Sequence, residues 1–528
     1  MPRVTPSRVL IGLAVIAVAL GGLALARSGS EPERGPGAGG KPNIVVIQTD
    51  DQTLASLNPK TMPATTTLLA ERGSVFENYV VSSPLCCPSR ASLLTGQYAH
   101  NHGIVSNSPG YEDLREKDST LPGWLRRAGY RTAHVGKYLN RWDSGQADPT
   151  QPTPGWDRWA TMLAPYSYFD YELAVDGKRI SYGSRRGEYL TTVLNRWAVR
   201  TVRDFAAEPR PFFLALDQFA PHGQTPERKG SCGRTALPLP GDFRRFARSR
   251  LPGSPSFNET DLSDKPAFRQ ELDELSASRI RGIRANYRCW LASLRAVDRG
   301  VARLVSVLRE TGELSNTAIF FTSDNGFLQG EHRIPGQKAQ SFEEAIRVPM
   351  IVRLGRDVLP EGHRIRRVDE LASNIDLAPT ILELAGVKPC LGSDRCRTMD
   401  GRSLVGALKG RSEGALRDRA ILLTFTSGHR RNNAGEGCAF AGLRTGRHSY
   451  TEYSSLPDPA TDECRPAAEN ELYDLSADPA QLENLERTEG LAVTRSETRE
   501  LRERLSALRN CAGIEGRDAR TKGRPFCE

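Results

Sequence analysis

Four short apolar runs, each ending abruptly in polar or charged residues, place the tightest limit on what this chain can fold into. Asn43-Ile-Val-Val-Ile-Gln-Thr49 shows no alternation of apolar and polar positions, the form of a strand buried on both faces of a parallel sheet. Residues 130–135 (YRTAHV), 211–216 (PFFLAL) and 317–322 (TAIFFT) read as further strands of this kind. The runs deliver, in turn, Asp50-Asp51, Gly136-Lys137, the stretch from Asp217 to His222-Gly223, and Ser323-Asp324-Asn325-Gly326. Ligands of open α/β sheets gather beyond the carboxyl ends of the strands, so these clusters are expected at one edge of one sheet. Two adjacent acids repel unless a cation lies between them. Asp and Asn offer hard oxygen donors, suited to Ca²⁺ or Mg²⁺ rather than zinc.

Helical patterning separates the strands. Residues 63–72 read as a helix closed by Gly73, 188–207 as a second, 275–309 as a long amphipathic one interrupted near Gly300, and 375–386 as one stopped by Gly386. Shorter strands are expected at 75–81 and 348–354. Segment 224–275, rich in Pro, Arg and Ser, reads as a surface insertion that shapes the mouth of a site.

Leu85-Cys-Cys-Pro-Ser-Arg-Ala-Ser-Leu-Leu-Thr-Gly96 places a thiol, a fixed turn and an arginine within five residues of one another. Pro88 suits the first turn of a helix, residues 91–94 continue it, and Gly96 stops it. Cys86 then sits at a helix N-terminus, whose partial positive charge and free N–H groups favour an anion, with Arg90 one turn along as a second anion contact. Two buried or disulfide-bonded cysteines before a helix are the plain alternative.

The spacing C-x-P-S-R followed by LLTG, within SSPLCCPSRASLLTGQYAHNHG, resembles the signature of the type I sulfatases, most nearly their N-acetylglucosamine-6-sulfatase branch. PNIVVIQTDDQ, GKYLN, APHG, SDNG, GEHRIPGQKAQSFEEAIRVPMIVR, ELYDLSADP and ENL are similar to segments of the same family, so the resemblance spans most of residues 42–485. It implies a large mixed, mostly parallel sheet flanked by helices, as in alkaline phosphatase and the sulfatases, over 42–410. A smaller C-terminal antiparallel-sheet α+β subdomain is implied over 411–528. Cys86 is implied to be oxidised to Cα-formylglycine by a formylglycine-generating enzyme during maturation. Asp50, Asp51, Asp324 and Asn325, with the modified residue 86, are implied to hold Ca²⁺ or Mg²⁺, while Arg90, Lys137, His222 and Lys338 grip the sulfate and move protons.

His332 shares the Lys338 loop as a weaker candidate, and His134, inside a buried strand pattern, is read as structural. One departure bears on mechanism. Many sulfatases carry a histidine two residues after the lysine of GKYLN, where this chain has Leu139, so the resemblance supplies no general base there. The implied substrates are sulfated sugars of glycosaminoglycan or N-acetylglucosamine-6-sulfate type, or aryl sulfates. A phosphonate or phosphate monoester hydrolase of the same superfold and a catalytically silent glycan-binding relative are the alternatives. Segments 143–185, 224–275 and 427–465, where selectivity is expected, carry no decodable pattern.

Export fits this reading. Arg3 and Arg8 precede an apolar run over 9–26 ending in Ala24-Leu25-Ala26, the form of a secretory signal, and 27–41 reads as a flexible linker. The expected location is extracellular, with membrane tethering through 9–26 only if that segment is not cleaved. The net charge of +9, which cleavage would lower by the two arginines, needs no more than an arginine-rich proteome and also suits polyanionic substrates. No basic and aromatic pattern points to nucleic acid. Ten cysteines suit an oxidising compartment. With Cys86 converted and Cys87 beside it, eight remain; short separations suggest Cys390 with Cys396 and Cys511 with Cys527, the rest staying open. No C-x-x-C spacing and only eight scattered histidines argue against zinc.

Overall fold

Ile44, Val45, Val46 and Ile47 are all buried, because both faces of their strand are covered. Ile44 and Val46 face one core, with Phe213, Ala215 and Phe320. Val45 and Ile47 face the other, with Leu214, Leu216, Ile319 and Phe321. The computed structural model describes residues 40–528 apart from 145, 229–231, 234, 360–364, 366, 393–394, 412–415, 417, 427–437, 458–462 and 488–491. The expected signal segment, and all but the last two residues of the expected linker, lie outside the described residues.

Sixteen strands are present among the described residues: β1 Asn43–Thr49, β2 Ser74–Phe76, β3 Tyr79–Val80, β4 Arg131–Gly136, β5 Arg158–Met162, β6 Tyr171–Val175, β7 Lys178–Tyr182, β8 Phe212–Asp217, β9 Thr317–Ser323, β10 Met350–Leu354, β11 Arg367–Val368, β12 Ala372–Ser373, β13 Ile421–Thr426, β14 Ala439–Arg444, β15 His448–Pro457 and β16 Cys464–Asp474. Ten form one sheet in the order β11-β2-β10-β9-β1-β8-β4-β5-β6-β7. Its centre is parallel, β1 lying between β8 and β9 and β4 beside β8, while β10, β6 and β7 run antiparallel nearer the edges. Helices Leu190–Ala206 and Ala277–Glu310 supply Val193, Leu194, Val297 and Val301 to one core. Helices Cys86–Thr95, Leu121–Arg127 and Leu377–Ala385 supply Ala91, Leu93, Trp124 and Ile381 to the other. A separate antiparallel sheet, β13-β14-β15-β16, and helix Ala492–Leu508 follow, the α+β ending that the resemblance implied.

Two local expectations need revision. The strand expected over 75–81 is divided: β2 joins the main sheet, whereas β3 pairs with β12 and leads the chain toward Cys86. The expected break near Gly300 is absent, since helix Ala277–Glu310 is continuous there. Gly300 marks a helix crossing instead. A Cβ at 300 would lie 2.1 Å from Asn195 Oδ1 on the neighbouring helix. That oxygen accepts from Gln218 Nε2 at 2.8 Å, and Asn195 Nδ2 donates to Ala296 O at 2.9 Å.

Cys390–Cys396 and Cys511–Cys527 are bonded as the short separations suggested, and Cys232–Cys289 and Cys438–Cys464 complete the set. Cys86 and Cys87 are free and buried. Cys232–Cys289 ties the insertion to the long helix.

Gly300→Ala should destabilise the protein by about 1–3 kcal/mol through overpacking against Asn195. At an open helical site the same change stabilises by roughly 1 kcal/mol. Denaturant unfolding followed by circular dichroism distinguishes the two, and a gain in stability would show that Asn195 moves aside freely.

Candidate active site

Strand register assembles the site. Gln48 lies opposite Asp217 on one side and Thr322 on the other, Thr49 opposite Ser323, and Gly136 opposite Asp217. Neighbouring strands are about 4.8 Å apart, so Asp50, Asp324, Lys137 and Asp217 must crowd one edge. Gly136 makes the closest approach: at φ +116°, a Cβ there would fall 1.8 Å from Asp217 O. Lys137 N–H donates to that carbonyl at 2.9 Å. Asp51, at φ +67°, holds a left-handed backbone that Asp tolerates better than most residues, and its N–H donates to Asp324 Oδ1 at 3.1 Å.

The cysteine arrives from the other side, as the first residue of helix Cys86–Thr95. Asn374 fixes this helix, its Nδ2 donating to Ser89 O and Oγ while its Oδ1 accepts from Ser82 N. Cys87 N–H donates to Asn107 Oδ1. Cys86 Sγ lies 3.5 Å from Asp50 Oδ1 and accepts from Lys338 Nζ at 2.8 Å and Lys137 Nζ at 3.6 Å. Lys137 Nζ donates to Asp50 Oδ2 at 2.5 Å, and Lys338 Nζ to Asp51 Oδ1 at 2.5 Å. Arg90 Nε donates to Asp324 Oδ2 at 2.8 Å and Nη1 to Lys137 O at 2.8 Å; Nη2 lies 3.5 Å from Asp50 Oδ2 without a hydrogen bond. His222 Nε2 is 3.7 Å from Asp51 Oδ2.

Charge pairing outweighs burial for the acids. Burial opposes ionisation of Asp50, yet Lys137, His222 and Arg90 hold its carboxyl below the ordinary range. Lys338 and His222 do the same for Asp51. Burial likewise disfavours the two ammonium groups, and Asp50 and Asp51 more than restore them. The Cys86 thiol is pushed well up, by burial first and Asp50 second, against the pull of both lysines. His222 is lowered chiefly by burial. Its Nδ1 lies 2.5 Å from Gly223 O, which can only accept, so Nδ1 carries the proton and Nε2 presents a lone pair.

The residues fit a cation. One donor atom from each of Asp50, Asp51, Cys86 and His222 lies within 4.8 Å of the others. Asn325 donates through Nδ2 to Asp51 Oδ1 at 2.7 Å, while its buried Oδ1 has no hydrogen-bond partner. A buried orphan acceptor beside three carboxylates is what a hard cation satisfies.

Every residue singled out in the sequence as a principal site candidate, namely Asp50, Asp51, Cys86, Arg90, Lys137, His222, Asp324, Asn325 and Lys338, is brought to this edge. His332 is not: its Nδ1 pairs with Glu259 Oε2 at 2.6 Å and its ring stacks on Phe342. His134 bonds Thr161 Oγ1 and Asp217 Oδ2, in keeping with a structural reading. Sequence reasoning gave Asp217 no role, yet it links His134 to Arg90 Nη1, 3.7 Å away. Its signal was its place as the last residue of a buried strand.

The architecture is α/β: a parallel-centred sheet flanked by helices, with cations and carboxylates packed beyond its strand ends. The chain belongs to the sulfatase family: the family described as Sulfatase matches residues 42–387, and N-sulphoglucosamine sulphohydrolase, C-terminal, matches residues 330–511. It is 32% identical to human N-acetylglucosamine-6-sulfatase over 90% of this chain and 85% of that protein. It is 31% identical to an arylsulfatase of Chlamydomonas reinhardtii over 84% of this chain and 71% of that protein. It is 32% identical to the extracellular sulfatase SULF-1 homolog of Drosophila melanogaster over 72% of this chain and 32% of that protein. Two solved structures share the fold. One is a protein in complex with its substrate D-glucosamine-2-N,6-O-disulfate (TM-score 0.68, 23% identity, 88% of this chain and 97% of that one). The other is the phosphonate monoester hydrolase of Agrobacterium radiobacter (TM-score 0.65, 20% identity, 88% and 96%). The chain is therefore a sulfatase, an enzyme that hydrolyses sulfate esters.

Asp217→Asn should lower stability by about 1–3 kcal/mol, because a partly buried acceptor and one of the charges facing Arg90 change together. Sulfate ester turnover should fall with it. Unaltered thermal unfolding together with unaltered turnover would make the Asp217 contacts incidental.

Proposed function

We propose that this sulfatase releases sulfate from sulfated sugars of glycosaminoglycan or N-acetylglucosamine-6-sulfate type outside the cell, through a formylglycine at position 86 and a divalent cation. The observation that carries the proposal is the convergence on Cys86 Sγ of Asp50, Lys137 and Lys338 at 3.5, 3.6 and 2.8 Å. The names of the human and Drosophila relatives support the sugar substrate and the location. We read residues 42–410 as the catalytic part and 411–528 as a smaller C-terminal subdomain.

Asp50, Asp51, Asp324 and Asn325 would hold Ca²⁺ or Mg²⁺, which supplies positive charge to acidify a hydroxyl and offset sulfate oxygens. Oxidation of Cys86 by a formylglycine-generating enzyme gives an aldehyde whose hydrate carries two hydroxyls, one to attack sulfur and one to expel sulfate afterwards. The thiol sulfur stands where the attacking oxygen would be. Serine and cysteine have no second hydroxyl, which is the chemical reason for the modification.

The chain's own groups divide the rest of the work. Lys137 and Arg90 stabilise charge on the transferring group, Arg90 with a donor, Nη2, that no protein acceptor uses. Lys338, charged and only partly exposed, is the proton source for the leaving sugar oxygen. His222 offers Nε2 as an acceptor and supplies the base that Leu139 cannot.

Peptide mass spectrometry across residues 85–90 of the exported protein should find an aldehyde at 86, and Cys86→Ala should abolish sulfate release. Full activity with an unmodified Cys86 would end the proposal. Sulfate should leave N-acetylglucosamine-6-sulfate, and an aryl phosphonate hydrolysed faster than an aryl sulfate would favour the phosphonate alternative. A chelator should remove activity and Ca²⁺ restore it. Lys338→Ala should lower kcat on a sugar sulfate by about 10²-fold or more, and less on a nitrophenyl sulfate, whose leaving group needs no proton. Equal losses on both would remove Lys338 from the acid role.

A further inference from the structure

A cavity of about 20 Å³ lies between helix Cys86–Thr95 and the sheet, beside Arg90 and Lys137. The helix roofs it with Arg90, Leu93 and Leu94, spaced as one helical face. Val46 and Gln48 of β1 and Ala215 and Asp217 of β8 belong to its floor. Side chains alternate along a strand, so Gln48 shares a face with Val46, and register sets Ala215 beside Val46 and Asp217 beside Gln48. Every residue on the wall except Asp217 is buried, which makes the space an enclosed one. A water needs about 10–15 Å³ of such space and a sulfate or a sugar far more, so the volume admits one water molecule.

Two polar groups on this wall are unspent. Gln48 is only 3% exposed, its Nε2 has no hydrogen-bond partner, and its side chain makes no other hydrogen bond among the described residues. Asp217 Oδ2 pairs with His134 Nε2 at 2.9 Å. Oδ1 accepts no hydrogen bond among the described residues and lies 3.7 Å from Arg90 Nη1, too far for one. An apolar side chain at position 48 would suit Val46, Leu93 and Leu94 around it without the cost of burying an unpaired amide. An amide donor and a carboxylate oxygen on neighbouring strands, facing one water-sized space, are the partners that a buried water takes.

We propose that one ordered water occupies this cavity, accepting from Gln48 Nε2 and donating to Asp217 Oδ1, and that Gln48 is thereby a positioning residue for Arg90. With Oδ2 held by His134 and Oδ1 by the water, the Asp217 carboxylate keeps one rotamer, and its charge stays where it faces Arg90 Nη1. Arg90 then donates through Nη1 to Lys137 O and through Nε to Asp324, which leaves Nη2 free for the transferring group. The water is fixed and enclosed, so the pairs that Asp50 and Asp324 make remain out of contact with solvent. The catalytic half of the inference rests on the role proposed for Arg90, and the water itself does not.

The test is a high-resolution crystal structure of the full chain together with Gln48→Met, which keeps the side-chain length and removes both hydrogen-bonding groups. One isolated density peak within hydrogen-bonding distance of Gln48 Nε2 and Asp217 Oδ1 is expected. Gln48→Met should empty it and lower Tm by about 1–2 °C, because Asp217 loses a donor. It should lower kcat about tenfold on sugar and aryl sulfates alike, since the sulfate end is common to both. Conversion at residue 86, checked by mass spectrometry, should be unchanged. In the double variant with Asp217→Asn the loss in kcat should be smaller than the product of the two single losses, because both act through one carboxylate. A dry cavity with a higher Tm for Gln48→Met, the result of replacing an unpaired amide by an apolar group, would overturn the proposal. So would a direct Gln48–Asp217 hydrogen bond with no density beside it. Density and a lower Tm with unchanged kcat, or with losses that multiply, would keep the water and remove Gln48 from positioning Arg90. If no sulfate ester is turned over, the proposed chemistry fails, and density and Tm still decide the water.

Discussion

Ion pairing without water is the constraint on which this structure depends. Asp50, Asp51 and Asp324 are buried together with Arg90 and Lys137, Lys338 is only partly exposed beside them, and each carboxylate has a cation within hydrogen-bonding distance. Removing one member of such a set strands its partner in low dielectric, at roughly 3–5 kcal/mol. Stability alone does not explain the arrangement, since apolar replacements of buried ion pairs are often neutral or stabilising. The groups left unspent explain it better: Asn325 Oδ1 has no donor and Arg90 Nη2 no acceptor. The first asks for a cation and the second for an anion, and both side chains belong to the same cluster, Asn325 through Asp51 and Arg90 through Asp324.

Most of the set is delivered by strand ends, but Lys338 is not. Its loop is braced from outside the sheet. Asn258 N–H donates to Gly330 O and His332 N–H to Ser256 O, while Arg333 donates to Glu259 O and Leu272 O, all toward the insertion. Arg269 joins Gln340 to Tyr453 of the small sheet, and Glu343 pairs with Arg444. The His332–Glu259 pair belongs to this bracing. The insertion and the C-terminal sheet therefore share one mechanical task, to hold an ammonium group at the cysteine.

The readable parts of the chain were those in which chemistry and local pattern coincide. The run before Asp50-Asp51 announces a buried strand and its acids at once, and Pro88 with Gly96 brackets the helix that carries Cys86. Register between distant strands is not written locally, which is why Asp217, opposite Gly136 and in reach of Arg90 and His134, went without a role. Gly300 misled because a glycine required by a crossing helix looks the same in sequence as one that ends a helix. The pairing of Cys232 with Cys289 and of Cys438 with Cys464 depends on tertiary proximity that separations of 57 and 26 residues do not reveal.

Leu139 shows how a departure from family wording acts physically. It is fully buried and packs with Leu93 and Leu94 against the side of the site that holds Arg90 and Lys137. A histidine there would add a titrating group beside two cations. Leucine instead adds an apolar wall, which keeps the local dielectric low and strengthens every pairing that Arg90 and Lys137 make with charge in front of them. Under the proposed function, proton transfer then falls to His222 and Lys338, which both face Asp51.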